Sequence, residues 1–260
     1  MLRATFLSGE CFTVVMRTAN PTLSEKLFSN FGHVYDSHKM TIEGAVNKTG
    51  LLLMLVVIMG AFSWQTFLVF PEFALFGVIG SAIAALVVAI VLVFKREYAV
   101  ILAPIYALLE GVVLGVLSAL FESLYSGIVM QAILITIGVL FALLFAYKSR
   151  WVQATENFKL GVIAATGGIF VVYLISFIAG LFGVSIPYIH ESGAIGIAFS
   201  MFVVVVAALN LVLDFDFIEK GATHGAPKYM EWYGAFGLLV TLVWLYLEVL
   251  RLLSKVRSRD

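Results

Sequence analysis

Glu110 stands in the middle of an apolar stretch, Tyr98 to Phe121, with eleven or more uncharged residues on either side. An isolated charge at that depth in a membrane is expensive, so the position is a candidate proton switch or cation ligand. Its bland alternative is a neutral carboxyl bonded to a backbone carbonyl or a hydroxyl inside a helix bundle. Gly111 and Gly115 follow on the same stretch and allow either close helix approach or a lined cavity.

A second cluster lies further along: Asn210, Asp214, Asp216 and Glu219, then Lys220, His224, Lys228 and Glu231. Asn210 and Asp214 share a helix face, and Asp216 points elsewhere. The cluster reads either as a solvated interface or as a gate, in which protonation of Asp214 or Asp216 breaks an ion pair. Lys48, Lys95, Arg96 and Lys220 are the candidate cations. Glu248 and Arg251 are spaced to pair with each other on one helix. His190-Glu191 opens like a zinc-protease motif, but Ala194 occupies the second histidine position. No Gly-x-Ser-x-Gly elbow or phosphate-binding glycine loop occurs, so the expectation is a non-enzyme without a resident cofactor. Cys11 has no second cysteine to pair with.

These residues must be positioned by membrane helices. The 260 residues are 62% hydrophobic and 12% charged, with mean hydropathy +1.06, where a soluble domain carries about 25% charge. The 16 basic and 16 acidic residues leave no basic field for nucleic acid, and unbroken apolar blocks exclude an alternating outer-membrane barrel. About 20 residues cross a bilayer as helix. Leu51 to Phe70, Phe73 to Phe94, Tyr98 to Phe121, Gly127 to Tyr147, Leu160 to Gly183 and Gly193 to Leu213 qualify, and a seventh span runs from Trp232 to Leu253. The expected fold is all-α, a polytopic seven-transmembrane-helix bundle, in which Pro104 and Gly167-Gly168 are candidate kinks.

Residues 1–40 form a polar N-terminal segment, 41–254 the helical domain and 255–260 a basic tail. Residues 1–16 lack the form of a signal peptide, and Met16 is an alternative start. From about 20 to 35, Leu23, Leu27, Phe28, Phe31, Val34 and Tyr35 recur at helical intervals, behind Asn20 as cap and Pro21. This amphipathic helix fits either a bilayer surface or a partner protein. With a cytoplasmic N-terminus, Lys95, Arg96, Lys148, Arg150, Lys159, Lys220 and Lys228 all fall inside. Arg251, Lys255, Arg257 and Arg259 then fall outside, against the rule, unless the seventh segment re-enters. A full span is the expectation.

The third span carries LLEGVVLGVLSALFE, the sixth ends LVLDFDFIEK and the last reads WLYLEVLRLL. These resemble the Bax inhibitor-1 family, and the flank MRTANPTLSEKLF resembles its bacterial branch, related to the YccA proteins. The resemblance implies a seven-helix bundle with the last helix at its centre and a pH-dependent calcium leak. It also implies a latch in which acids on helices six and seven share a proton. Asp214 matches the first acid, and Glu248 stands where the second would be an aspartate. In a straight hairpin that closes at Asp214, Glu248 lies about 25 Å further across the membrane. Asp216 and Glu231 are the alternative partners.

The resulting expectation is a multi-pass protein of a bacterial inner membrane acting as a pH-responsive cation leak, with calcium as a transient ligand of hard oxygens. Glu110, Asp214, Asp216, Glu248 and Glu231 would sense protons or bind the ion, with Asn210 and Arg251 as polar support. Two rivals remain. One is a regulator that binds a membrane-bound AAA protease through the N-terminal segment and conducts nothing; the other is a proton-coupled small-solute carrier.

Overall fold

The computed structural model describes residues 39–183 and 193–259. The amphipathic segment at 20–35, Cys11, His33, His38 and His190 lie outside the described residues. Seven helices follow in order: α1 (Ile42–Val69), α2 (Pro71–Phe94), α3 (Ala99–Leu124), α4 (Ile128–Lys148), α5 (Glu156–Leu181), α6 (Ala194–Thr223) and α7 (Met230–Arg257), with a 3₁₀ turn at Arg96–Tyr98 before α3. Each is long and apolar enough to cross a membrane. The protein is an all-α, seven-helix membrane bundle.

Local chemistry sets the helix ends. The Thr41 hydroxyl accepts the Gly44 N–H, and the Thr155 hydroxyl accepts that of Phe158, satisfying amides the first turn leaves open. Pro71 opens α2, where its missing N–H costs nothing. Glu122 caps α4 from a distance, accepting the N–H groups of Gly127 and Val129. Neither Pro104 nor Gly167-Gly168 ends its helix.

Lipid tails are as apolar as leucine, so helices in a bilayer associate through close packing and polar ties rather than hydrophobic exclusion. Between α1 and α3 packing does this. A Cβ on Gly115 would collide with the Gly60 carbonyl and with Ser63, and one on Gly111 would lie 2.8 Å from the Val56 carbonyl. α7 is the centre of the bundle: 61% of its apolar window is buried, against 11% for α2 and for α5. It packs on α6, α1, α4 and α3.

The main differences from the sequence reading are at three helix ends, the first being α1, which begins at Ile42 rather than Leu51 and so takes in Lys48. α6 does not stop near Leu213 but continues to Thr223, so Asp214, Asp216, Glu219 and Lys220 are helical rather than loop residues. α7 is one unbroken helix that runs past residue 254 to Arg257, a full span with no re-entry.

Candidate functional site

The bundle has a near face, where α1 begins and the α2–α3, α4–α5 and α6–α7 connections lie, and an opposite far face. From one face to the other, α5 is tied to the α6–α7 hairpin by polar side chains at seven-residue intervals: Lys159, Thr166 and Tyr173. Seven residues are almost two full turns, so these groups line one stripe.

At the near face the Lys159 ammonium, 1% exposed, lies 3.0 Å from an Asp216 carboxylate oxygen and 3.5 Å from Glu156. Lys220, one turn beyond Asp216, lies 2.9 Å from that same oxygen. Midway, the Asn210 amide donates to the Thr166 hydroxyl and to the Val206 carbonyl, both at 2.8 Å. Toward the far face, the Tyr173 hydroxyl donates to Glu248 Oε1 at 3.0 Å. Arg251 donates to that carboxylate oxygen at 2.7 Å and to the hydroxyl at 2.8 Å. Its guanidinium lies 5.3 Å from the Tyr173 ring centre. Glu248 is 1% exposed, and its Oε2 has no hydrogen-bond partner among the described residues.

The first and last ties are fourteen residues apart on α5, about 21 Å of membrane depth. Between the middle and far ties the gap is filled by Ile169, Val203 and Val206, which form a small apolar cluster of their own. The seam opens at both ends. A near cavity of about 360 Å³ is lined by Asp216, Lys220, Glu219 and Tyr147 among others. A far cavity of about 450 Å³ is lined by Tyr173, Ser176, Phe177 and Arg251. The arrangement is a line of titratable and hydrogen-bonding groups, interrupted by dry packing, joining two openings. α5 is the side of the seam best able to move, because only Lys159, Val162 and Ile169 of its residues are buried.

A second lock joins α1 to α7 at the near face. Glu231, 1% exposed, accepts the backbone N–H and the hydroxyl of Thr41, each at 2.9 Å, and pairs with Lys48. Gly44 lies so close that any side chain there would strike the Glu231 carboxylate. The chain entering α1 is held against the α6–α7 turn by a hydrogen bond from the Met40 N–H to the Ala226 carbonyl, at 2.6 Å.

The acids expected from sequence therefore fall into separate environments. Asp216, Asn210, Glu248 and Arg251 belong to the seam, and Glu231 to the α1–α7 lock. Asp214 is buried in α6 at 1% exposure. Glu110 is half-buried on α3, beside Tyr106 one turn away, and Tyr106 packs edge-on against Phe236 of α7 at 4.9 Å. Asp214 and Glu248 do not meet. Ile218 faces Gly234 across the hairpin, and Lys255 reaches Ser200. This register sets Asp214 opposite about Leu238, ten residues or about 15 Å short of Glu248. The separation is smaller than 25 Å because α6 continues past Asp214, but it is too large for a shared proton.

Among the proposed cations, Lys48 serves Glu231 and Lys220 serves Asp216. The partner missed from sequence is Lys159, read there as the end of a loop. Thr166 and Tyr173 were missed too, although their seven-residue spacing from Lys159 was visible. Among the described residues no three of His, Cys, Asp and Glu gather in a way that could hold a metal ion.

The profile of Bax inhibitor 1-like proteins matches residues 20–258, nearly the whole chain. The chain belongs to that family. Neither a curated protein nor a solved structure matches it. Within the Bax inhibitor 1-like frame, the central α7 agrees with what the motifs implied, and the α5 seam is a feature that the motifs did not announce.

Proposed function

We propose that this Bax inhibitor 1-like protein is a pH-responsive cation leak of a bacterial inner membrane, with the α5 seam as its path and Asp216 as its proton sensor. The observation that carries the reading is the alignment of the seam: polar ties at three depths along one stripe of α5, closed by the dry Ile169, Val203 and Val206 layer, with an opening at each end. While Asp216 is ionised it holds Lys159 of α5 and Lys220 of α6 to one oxygen. Protonation removes that charge and leaves the two ammonium groups facing each other, so the near end of α5 is pushed off the hairpin. Leak then rises as pH falls. With α5 displaced, Asn210, Thr166, Tyr173 and Glu248 offer the oxygen ligands that suit calcium. The near face is cytoplasmic on this reading, because Lys95, Arg96, Lys148, Arg150, Lys159, Lys220 and Lys228 cluster there.

The test is calcium flux into proteoliposomes across a pH series. Asp216→Asn is expected to leak at neutral pH and to lose most of its pH response. A native protein that passes no calcium at any pH, or an Asp216→Asn profile identical to the native one, overturns the proposal. The protease-regulator reading is tested in parallel by deleting residues 17 to 35 and measuring recovery of a membrane-bound AAA protease.

A further inference from the structure

The near cavity carries a feature that the seam does not use. α4 ends at Lys148, and the chain turns through Arg150 in the left-handed region, φ 62°, the one non-glycine residue among those described with positive φ. Glycine is the inexpensive occupant of such a turn after a helix, since a Cβ there is strained. An arginine in place of glycine at this position points to work for its side chain. That side chain lines the cavity together with Gln153, Thr155, Lys220 and His224. The acids of the cavity are already engaged, Asp216 by Lys159 and Lys220 and Glu219 by the Tyr147 hydroxyl. Arg150's guanidinium has no hydrogen-bond or ion-pair partner among the described residues.

Next to it Trp151, 77% exposed, stacks edge-on with Phe145 of α4, 61% exposed, at 5.7 Å. Tryptophan at the end of a span marks the headgroup level of a bilayer. A polar cavity with an unengaged guanidinium, next in the chain to a tryptophan that lies outside the cavity at headgroup level, fits one kind of ligand: a lipid whose phosphate meets Arg150 and whose chains run down past Trp151 and Phe145.

We infer that the near cavity is a binding site for the headgroup of an anionic phospholipid, held by Arg150 with the Gln153 amide and the Thr155 hydroxyl as further donors. Guanidinium and phosphate make charge-assisted, two-pronged hydrogen bonds. The inference does not depend on ion conduction. It has a consequence if the leak reading holds: a phosphate here competes with Asp216 for Lys220, so lipid occupancy and the seam are linked.

The experiment titrates the purified full chain in detergent micelles with phosphatidylglycerol and follows the thermal unfolding midpoint. Phosphatidylcholine with the same acyl chains and inorganic phosphate are the comparison arms. Native protein is expected to be stabilised by phosphatidylglycerol alone. Arg150→Gly relieves the strained turn, so that variant is expected to unfold no earlier than native, yet to bind phosphatidylglycerol about tenfold or more weakly. Arg150→Lys is expected to keep part of the response. An undiminished response in Arg150→Gly overturns the site. Equal stabilisation by phosphatidylcholine overturns headgroup recognition, and the same effect from inorganic phosphate overturns the lipid assignment in favour of a free-anion site.

Discussion

Lys159 of α5 and Asp216 of α6 lie 3.0 Å apart, with the lysine only 1% exposed, and this pair fastens the near end of one of the two least buried helices to the hairpin. Asp216 keeps Lys220 at 2.9 Å when Lys159 is removed, so the substitution deletes one of two charge-assisted ties rather than leaving the carboxylate unpaired. Lys159→Met alone is therefore expected to destabilise the protein by about 1–2 kcal/mol. The double replacement Lys159→Met with Asp216→Leu removes both charges and is expected to recover most of that loss. Thermal unfolding of the two variants in detergent checks this. A double variant no more stable than the single one would place the stabilisation elsewhere.

Glu110 and Asp216 are expected to behave differently in flux assays. Glu110 lies beside Tyr106 on α3, apart from the seam. Glu110→Gln is expected to leave the pH profile of leak in place, whereas Asp216→Asn flattens it. Combining Glu110→Gln with Asp214→Asn is a further check, because a flattened profile in that pair with a normal one in Asp216→Asn would move the sensor off the seam.

Tyr173→Phe deletes a hydroxyl bonded to both Glu248 and Arg251. The Glu248–Arg251 pair remains, so the expected cost is about 1–2 kcal/mol. Hydrogen exchange along α5 is expected to rise in its far half and to stay unchanged in α1 and α3. Uniform loosening of all helices would contradict a local role.

Gly44 faces the Glu231 carboxylate with no space for a Cβ. Gly44→Ala is expected to break the lock among Glu231, Thr41 and Lys48, and to cost about 1–3 kcal/mol. The paired variant Gly44→Ala with Glu231→Ala removes the collision and is expected to recover part of that loss. The unfolding midpoints decide between the two outcomes.

The sequence by itself determined the membrane class, the number of spans and the self-pairing of Glu248 with Arg251. Those properties follow from apolar run length and from neighbours on one helix, both of which are local. It also singled out Asp216 and Asn210 as polar residues in need of partners. It placed Lys159 in a loop, because a lysine beside an apolar run reads as its boundary. Only when α6 continued past Asp214 to Thr223 did a straight α5 bring that lysine under Asp216.

Which acid meets which cation was decided by the tertiary structure, because helix register and rotation are fixed by packing between elements and leave no mark in the spacing of any one of them. The same packing settled the fate of the basic residues on the last helix. Lys255 is buried against the Gly196 carbonyl and the Ser200 hydroxyl, and Arg257 donates to the Ser126 carbonyl. Charge counting treats these residues as free signals of orientation, yet the fold has already engaged them, since a cation near membrane depth is tolerated where backbone and hydroxyl oxygens replace water.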